Sequence, residues 1–192
     1  MNEIILLEAQ NSLLSAINSV WDADEFMDDV YVLQSPLGAF CQKVFKVDPV
    51  ILSWLTFFSA RSTLPCWVLS CKSKEPFLAI EQIKNFLLER VSAQALIPFL
   101  APIPTEVQDC RFSETASTAD AISFAAKYCV RQSLFDAIYS LSSACIAFDH
   151  VFTEDRFRFW LIETAFPVAT EKRELTKEEM YSMSASQKYL AD

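Results

Sequence analysis

The side chains best suited to chemistry in this chain are its carboxylates, its six cysteines and its one histidine. A cysteine–histidine nucleophile would use His150, and it also needs a turn of backbone donors around the reacting carbonyl. Such turns commonly use glycine, and the chain has only Gly38. Asp22 and Glu25 are close enough in sequence for acid–base work, but their surroundings are typical of a solvated helix face. We therefore predict no catalytic residue.

Cysteine spacing gives no sign of a metal site. The cysteines stand at positions 41, 66, 71, 110, 129 and 145, without a CxxC pair, and His150 has no second imidazole to join it. Phosphate-cradling loops and dinucleotide fingerprints also depend on glycines that the chain lacks. The sequence therefore predicts buried, reduced thiols, no metal and no cofactor.

Charge is the strongest guide to partners. The net charge of −9 and a pI near 4.7 oppose attraction to phosphate backbones or anionic lipid. Residues 1–60 hold eight acids against Lys43 and Lys46, a net −6, whereas 61–120 carry −1 and 121–192 carry −2. We expect a protein partner, basic if charge guides it, and neither nucleic acid nor membrane. Such a partner would meet the N-terminal third first.

The densest group of carboxylates follows Trp21, in the stretch "WDADEFMDDVY". If this stretch is helical, its apolar side chains fall on one half of the helix and its acids on the other. Trp21 then lies among the acids Asp24, Glu25, Asp28 and Asp29. An exposed aromatic ringed by carboxylates is typical of an interaction hot spot. This interpretation predicts that these five residues bind a partner.

The same stretch also has the features of a well-capped helix start. Asp22, with Glu25 three positions later, is close to the capping-box pattern. Trp21 can pack on Phe26 as a hydrophobic staple, and acids in the first turn favour the positive end of the helix dipole. Both interpretations stay open, because a capped helix can also present its acids to a partner.

A second polar patch precedes Trp160. Thr153 would cap a helix whose inner face is Phe157, Trp160 and Leu161, with the neighbouring arginines solvated or paired to acids. The functional alternative is a polar rim around a groove that holds Trp160, since arginine and tryptophan are enriched where partners bind. Arg156 and Trp160 are therefore the second predicted pair of partner contacts.

The fold class follows from helix-start signals and the shortage of glycine. Asp48-Pro49, Leu64-Pro65 and Glu75-Pro76 each place proline in a first turn, and sustained period-2 alternation is absent. We predict an all-α protein, a single domain over 1–192 of about eight short helices arranged as packed helical hairpins.

Two segments complicate that domain. Residues 98–113 contain three prolines and no apolar period, which indicates a long surface loop or a hinge between two halves. Residues 171–192 are polar, with a Thr-x-x-Glu capping pattern from Thr176 to Glu179, so we expect a weakly docked C-terminal helix.

One internal similarity joins residues 71–83 to 129–141. The two stretches share Cys, Phe, Ala and Ile at the same offsets, and each spans a helix end, a turn and the next helix start. Either a duplication or the common demands of core packing explains this match.

Targeting signals are weak. The start "MNEIILLEAQ" has no basic region ahead of an apolar run, and the longest uncharged run, Val91 to Thr105, is short of a membrane span. These features predict a cytoplasmic protein.

The short helices, acidic balance and lack of catalytic groups resemble small bacterial immunity proteins, which block a toxin by binding it. The resemblance carries over no residue. We predict a non-enzymatic, acidic, helical binding protein that shields or inhibits a macromolecular partner. A scaffold or adaptor of stacked helical hairpins is the alternative, and an enzyme of unrecognised type is the second.

Overall fold

The computed structural model describes residues 7–8, 10–12, 29–103, 114–149 and 154–184, and these residues form helices and short connections without a strand. The predicted all-α class is confirmed. In chain order the α-helices are α1 (Asp29–Gln34), α2 (Pro36–Val47), α3 (Pro49–Ser62), α4 (Leu64–Ser70), α5 (Glu75–Leu87), α6 (Glu114–Arg131), α7 (Leu134–Asp149), α8 (Glu154–Trp160), α9 (Phe166–Glu171) and α10 (Lys177–Ser184). A 3₁₀ helix covers Ala93–Phe99, and a π-helical segment, Leu161–Ala165, joins α8 to α9.

The proline-containing helix starts lie where the sequence predicts them. Helices α3, α4 and α5 begin at Pro49, Leu64 and Glu75, each with proline in its first turn. Asp48 caps α3, because its Oδ1 accepts a hydrogen bond from the Val50 amide at 2.9 Å. A side-chain cap therefore fixes the start of α3, whereas α4 and α5 begin with proline in the first turn and without a side-chain cap.

Helix α2 is absent from the sequence prediction, although it carries the same signature. Ser35 Oγ accepts from the Gly38 amide at 3.0 Å, and Pro36 is in the first turn. A Cβ added at Gly38 would collide with the carbonyl oxygens of Val32 and Leu33 at the end of α1. The single glycine therefore permits the close approach of α1 and α2.

Helix α3 is the centre of the core. Every residue from Ile51 to Ala60 is buried, so α3 is covered on all sides rather than along one stripe. It packs against α2, α5, α6, α7 and α9. A helix apolar on all sides is stable only when such neighbours surround it.

Helices α6 and α7 form the most extensive helix pair and are joined by two residues. Small buried side chains, among them Ala121 and Ala125 on α6, let the two backbones approach. Ser140 Oγ on α7 donates to the Ala121 carbonyl at 2.8 Å, which satisfies its buried hydroxyl. This pair is the helical hairpin that the sequence predicts at 129–141.

The two halves of the predicted repeat share buried core positions but differ in their turns. Ala79 and Ile83 on α5 are buried, as are their counterparts Ala137 and Leu141 on α7. The turns differ: φ is 52° at Gln132, and −91° at the aligned Lys74. Common burial is also expected from any two helices with one inner face, so a duplication stays a prediction.

The predicted break at 98–113 begins inside the 3₁₀ helix, because Pro98 and Phe99 are its last two residues. Residues 104–113 are outside the described residues, so the choice between hinge and loop stays a prediction.

Candidate partner-binding surface

Most of the predicted acidic surface is outside the described residues. This is the case for Trp21, Asp24, Glu25 and Asp28. Asp29 is the first residue of α1, whose backbone packs against α2 and α7. The choice between a docking site and a capped helix start therefore stays a prediction.

Trp160 lies in the core rather than in an open groove bordered by polar side chains. The predicted inner face of α8 is confirmed, since Phe157, Trp160 and Leu161 are only 2%, 5% and 1% exposed. The Trp160 ring stacks on Phe157, and its indole Nε1 donates to the Glu179 carbonyl on α10 at 3.0 Å. This placement does not support a role for Trp160 as a partner contact, because a partner would reach almost none of its ring.

The exposed side of α8 carries a different aromatic residue. Arg156 is exposed, and Phe159, three positions later and hence on the same face, is 55% exposed. Sequence reasoning missed Phe159. The signal for it was present, because position 159 falls outside the apolar stripe of Phe157, Trp160 and Leu161. Arginine beside an exposed aromatic ring is a common composition at protein interfaces.

A polar cluster fixes the connection between α9 and α10. Arg173 binds Glu179 through two parallel hydrogen bonds of 2.8 and 2.7 Å and also donates to Glu171 at 2.5 Å. The predicted capping box is confirmed: the Thr176 amide donates to Glu179 Oε2 at 2.7 Å, and the Glu179 amide donates to Thr176 Oγ1 at 3.2 Å. The hydrogen bonds from Arg173 lower the pKa of Glu179 to about 2.

Two further ion pairs tie this connection to the rest of the domain. Lys172 pairs with Asp48 at the start of α3, and Lys84 on α5 lies 3.0 Å from a carboxylate oxygen of Glu174. Burial acts to raise the pKa of Asp48, but hydrogen bonds from Lys172 and the Val50 amide outweigh it and leave the pKa lowered. These bases are therefore engaged by acids of the same chain.

One buried carboxylate sits in the first turn of α7. Asp136 is 7% exposed, and its Oδ2 has no hydrogen-bond donor among the described residues. Burial raises its pKa, while the nearby charges of Arg131 and Lys127 act in the opposite direction. The Lys127 ammonium also lies 4.0 Å from the centre of the Phe124 ring. Nothing in the sequence distinguishes Asp136 from an exposed first-turn acid.

The thiols are buried, as predicted, at the five cysteines that the structure describes. Burial raises the pKa of Cys66 to about 11 and that of Cys129 to about 12. Cys66 Sγ donates to the Ala147 carbonyl at 3.5 Å. At neutral pH these groups are protonated, and a protonated thiol is a poor nucleophile.

No family model, curated protein or solved structure matches the chain. Over the described ranges, no cluster of three or more histidine, cysteine or acidic side chains is arranged to hold a metal ion. Among the helices that the structure describes, none combines the length and apolarity needed to cross a bilayer. Proposals about function therefore depend on the charges and exposed side chains described above.

Proposed function

We propose that this chain is a non-enzymatic, acidic binding protein that shields or inhibits a basic protein partner in the cytoplasm. The observation that carries the proposal is the distribution of charge. Residues 1–29 hold seven aspartates and glutamates and no lysine or arginine. An uncompensated acidic segment attracts a basic partner over a distance of about one Debye length, roughly 8–10 Å in physiological salt.

Contacts on both sides of the acidic stretch support this proposal. Before it, Ser12 Oγ accepts a hydrogen bond from Lys43 on α2 at 2.7 Å. After it, α1 begins at Asp29 and packs against α2 and α7. Ser12 and α1 therefore both contact α2.

Arg156 and Phe159 on α8 provide a second candidate contact. Phe159 exposes more than half of its side chain, and a large exposed aromatic ring loses unfavourable hydration when a partner covers it. Arg156 adds a charge and a planar donor group on the same face. In this proposal the acids guide the encounter, and the α8 face contributes contact area.

The main test uses a partner captured by pull-down with this chain. The association rate constant of the two proteins is then measured at several salt concentrations. Asp28→Asn combined with Asp29→Asn should slow association at low salt by about tenfold, with little change in dissociation. The matched control is Glu81→Gln with Glu178→Gln, which changes net charge equally at two exposed acids elsewhere. Equal slowing by both double variants would show that net charge, not the acidic stretch, drives binding and would contradict the proposed site.

Trp21 distinguishes docking from helix capping. If Trp21 is a hydrophobic staple, Trp21→Ala should lower the melting temperature about as much as Asp22→Ala and leave binding unchanged. If Trp21 is a hot-spot residue, Trp21→Ala should abolish partner binding and leave the melting temperature unchanged. We expect the staple outcome, which leaves Asp28 and Asp29 as the acids that meet the partner.

A scaffold of stacked helical hairpins is the second candidate function. The helical hairpin that α6 and α7 form supports it. A scaffold should capture several partners whose binding changes little with salt, whereas the inhibitor should capture one dominant basic partner that salt releases. Pull-down under increasing salt therefore separates the two functions.

A further inference from the structure

The helix that runs from α8 to α9 contains a carbonyl without a main-chain donor. In the π-helical segment the Phe166 amide donates to the Leu161 carbonyl, five residues earlier, instead of to Ile162. In the same register the next amide, at position 167, would donate to Ile162. Position 167 is proline, which has no N–H, so the π turn and Pro167 together leave the Ile162 carbonyl unpaired within the helix.

A side chain from the N-terminal part of the chain supplies the missing donor. Gln10 Nε2 donates to the Ile162 carbonyl at 3.1 Å, across 152 positions of sequence. Ile162 is 7% exposed, and an unpaired carbonyl at such a position would cost more than one that water reaches. Gln10 therefore gives the Ile162 carbonyl a hydrogen-bond donor.

Exposure around Gln10 is consistent with a docked segment. Gln10 and Ser12 are half-buried, whereas Leu7 is 61% exposed and Glu8 is also exposed. The half-buried residues are those with contacts to the body, Gln10 to Ile162 and Ser12 to Lys43. A single hydrogen bond contributes only about 0.5–1.5 kcal/mol net, so the contact of Gln10 with Ile162 can open without unfolding of the domain.

We propose that Gln10 and the Ile162 carbonyl form a latch that docks the N-terminal segment, and that the latch exists because Pro167 removes the competing amide. Docking at Gln10 tethers the chain that leads to the acidic stretch, which begins at Trp21. Resting on the proposed function, this implies that undocking weakens partner binding, since the acids are then less well placed. The latch itself can be tested without any partner.

Hydrogen exchange of N-terminal peptides that contain Gln10 measures docking. Gln10→Ala should speed their exchange by about fivefold, the effect of losing one hydrogen bond of typical net strength. Gln10→Glu retains the size of the side chain but replaces the donor with a carboxylate oxygen, and it should speed exchange at least as much. Unchanged exchange in both variants would overturn the latch.

The role of Pro167 is tested by repeating the Gln10 substitutions in a protein that also carries Pro167→Ala. Pro167→Ala restores an amide at position 167, which can donate to Ile162 and so makes Gln10 redundant. In that background Gln10→Ala should change exchange by less than about twofold. If Gln10→Ala speeds hydrogen exchange equally with Pro167 and with Ala at position 167, the latch does not depend on Pro167.

Gln42 offers a matched control. Its Nε2 donates to the Leu33 carbonyl at 2.8 Å, which is also a glutamine bond to a helix carbonyl but does not involve the π segment. Gln42→Ala should leave exchange near Gln10 unchanged; faster exchange there would show a general loosening and contradict a local latch. Partner binding is measured separately, so faster exchange without weaker binding would overturn only the functional consequence.

Discussion

Helices α3 and α10 are held in the domain by different forces. Helix α3 is buried from Ile51 to Ala60 and is stabilised by apolar contact on every side. Helix α10 exposes Lys177, Glu178 and Ser182, and is held by the capping box, the Arg173 ion pairs and the indole bond to Glu179. The stability of α3 should therefore depend on volume, and that of α10 on pH and salt.

The largest expected effect is in α3. Trp54 is 2% exposed, and its ring centre lies 5.5 Å from that of Phe58. Trp54→Ala should lower the free energy of unfolding by roughly 3–5 kcal/mol through lost burial and a cavity. Val50→Ala, at a 36% exposed position of the same helix, should cost less than about 1 kcal/mol. Guanidinium unfolding measures both, and similar losses would contradict a volume-dominated core.

The next effect is at the junction of the two regions. Asp48 caps α3 and pairs with Lys172, which precedes α10. Asp48→Ala should cost roughly 0.5–2 kcal/mol through the lost cap. Asp48→Asn retains a capping acceptor but loses the charge, so it should cost less, since an exposed ion pair contributes about 0–1 kcal/mol. Denaturant unfolding compares them; an equal cost would assign the effect to the ion pair.

A buried acid in α7 should oppose stability near neutral pH. Because burial raises the folded-state pKa of Asp136, the carboxylate costs stability above that pKa, and the cost disappears below the unfolded value of about 3.9. Asp136→Asn should therefore be more stable than wild type at about pH 7, on the order of 1 kcal/mol. The difference should shrink toward about pH 4 in denaturant titrations. A less stable Asn variant at neutral pH would show that Lys127 and Arg131 outweigh burial.

The smallest effect belongs to α10, and its pH dependence has the opposite sign. The folded-state pKa of Glu179 is lowered to about 2 from 4.5, so its contribution is present above about pH 4.5 and is lost as pH falls toward 2. Glu179→Gln should cost less than about 1 kcal/mol at neutral pH, since water still reaches the pair with Arg173 and screens it. Thermal unfolding of both proteins should converge at low pH. A difference that does not shrink between about pH 4.5 and pH 2 would contradict the ion pair as its cause.

Local signals predicted much of the fold. The starts of α3, α4 and α5 and the Thr176–Glu179 capping box lie where the sequence places them, because caps and prolines act within one helical turn. The same rule would have found α2 from Ser35-Pro36. At the second candidate surface Trp160 is buried and the exposed aromatic ring is Phe159, whereas the acids before Asp29 lie outside the described residues.

The sequence by itself determined the helical class, the helix starts, the inner face of α8 and the acidic excess of residues 1–29, since each depends on residue type and spacing along a short stretch. Only the tertiary structure decided which polar groups lose water. The burial of Asp136 and the bond from Gln10 to Ile162 depend on helices that meet across long sequence separations. No local pattern encodes such contacts, because the free energy of a polar group depends on its surroundings in the packed domain rather than on its neighbours in sequence.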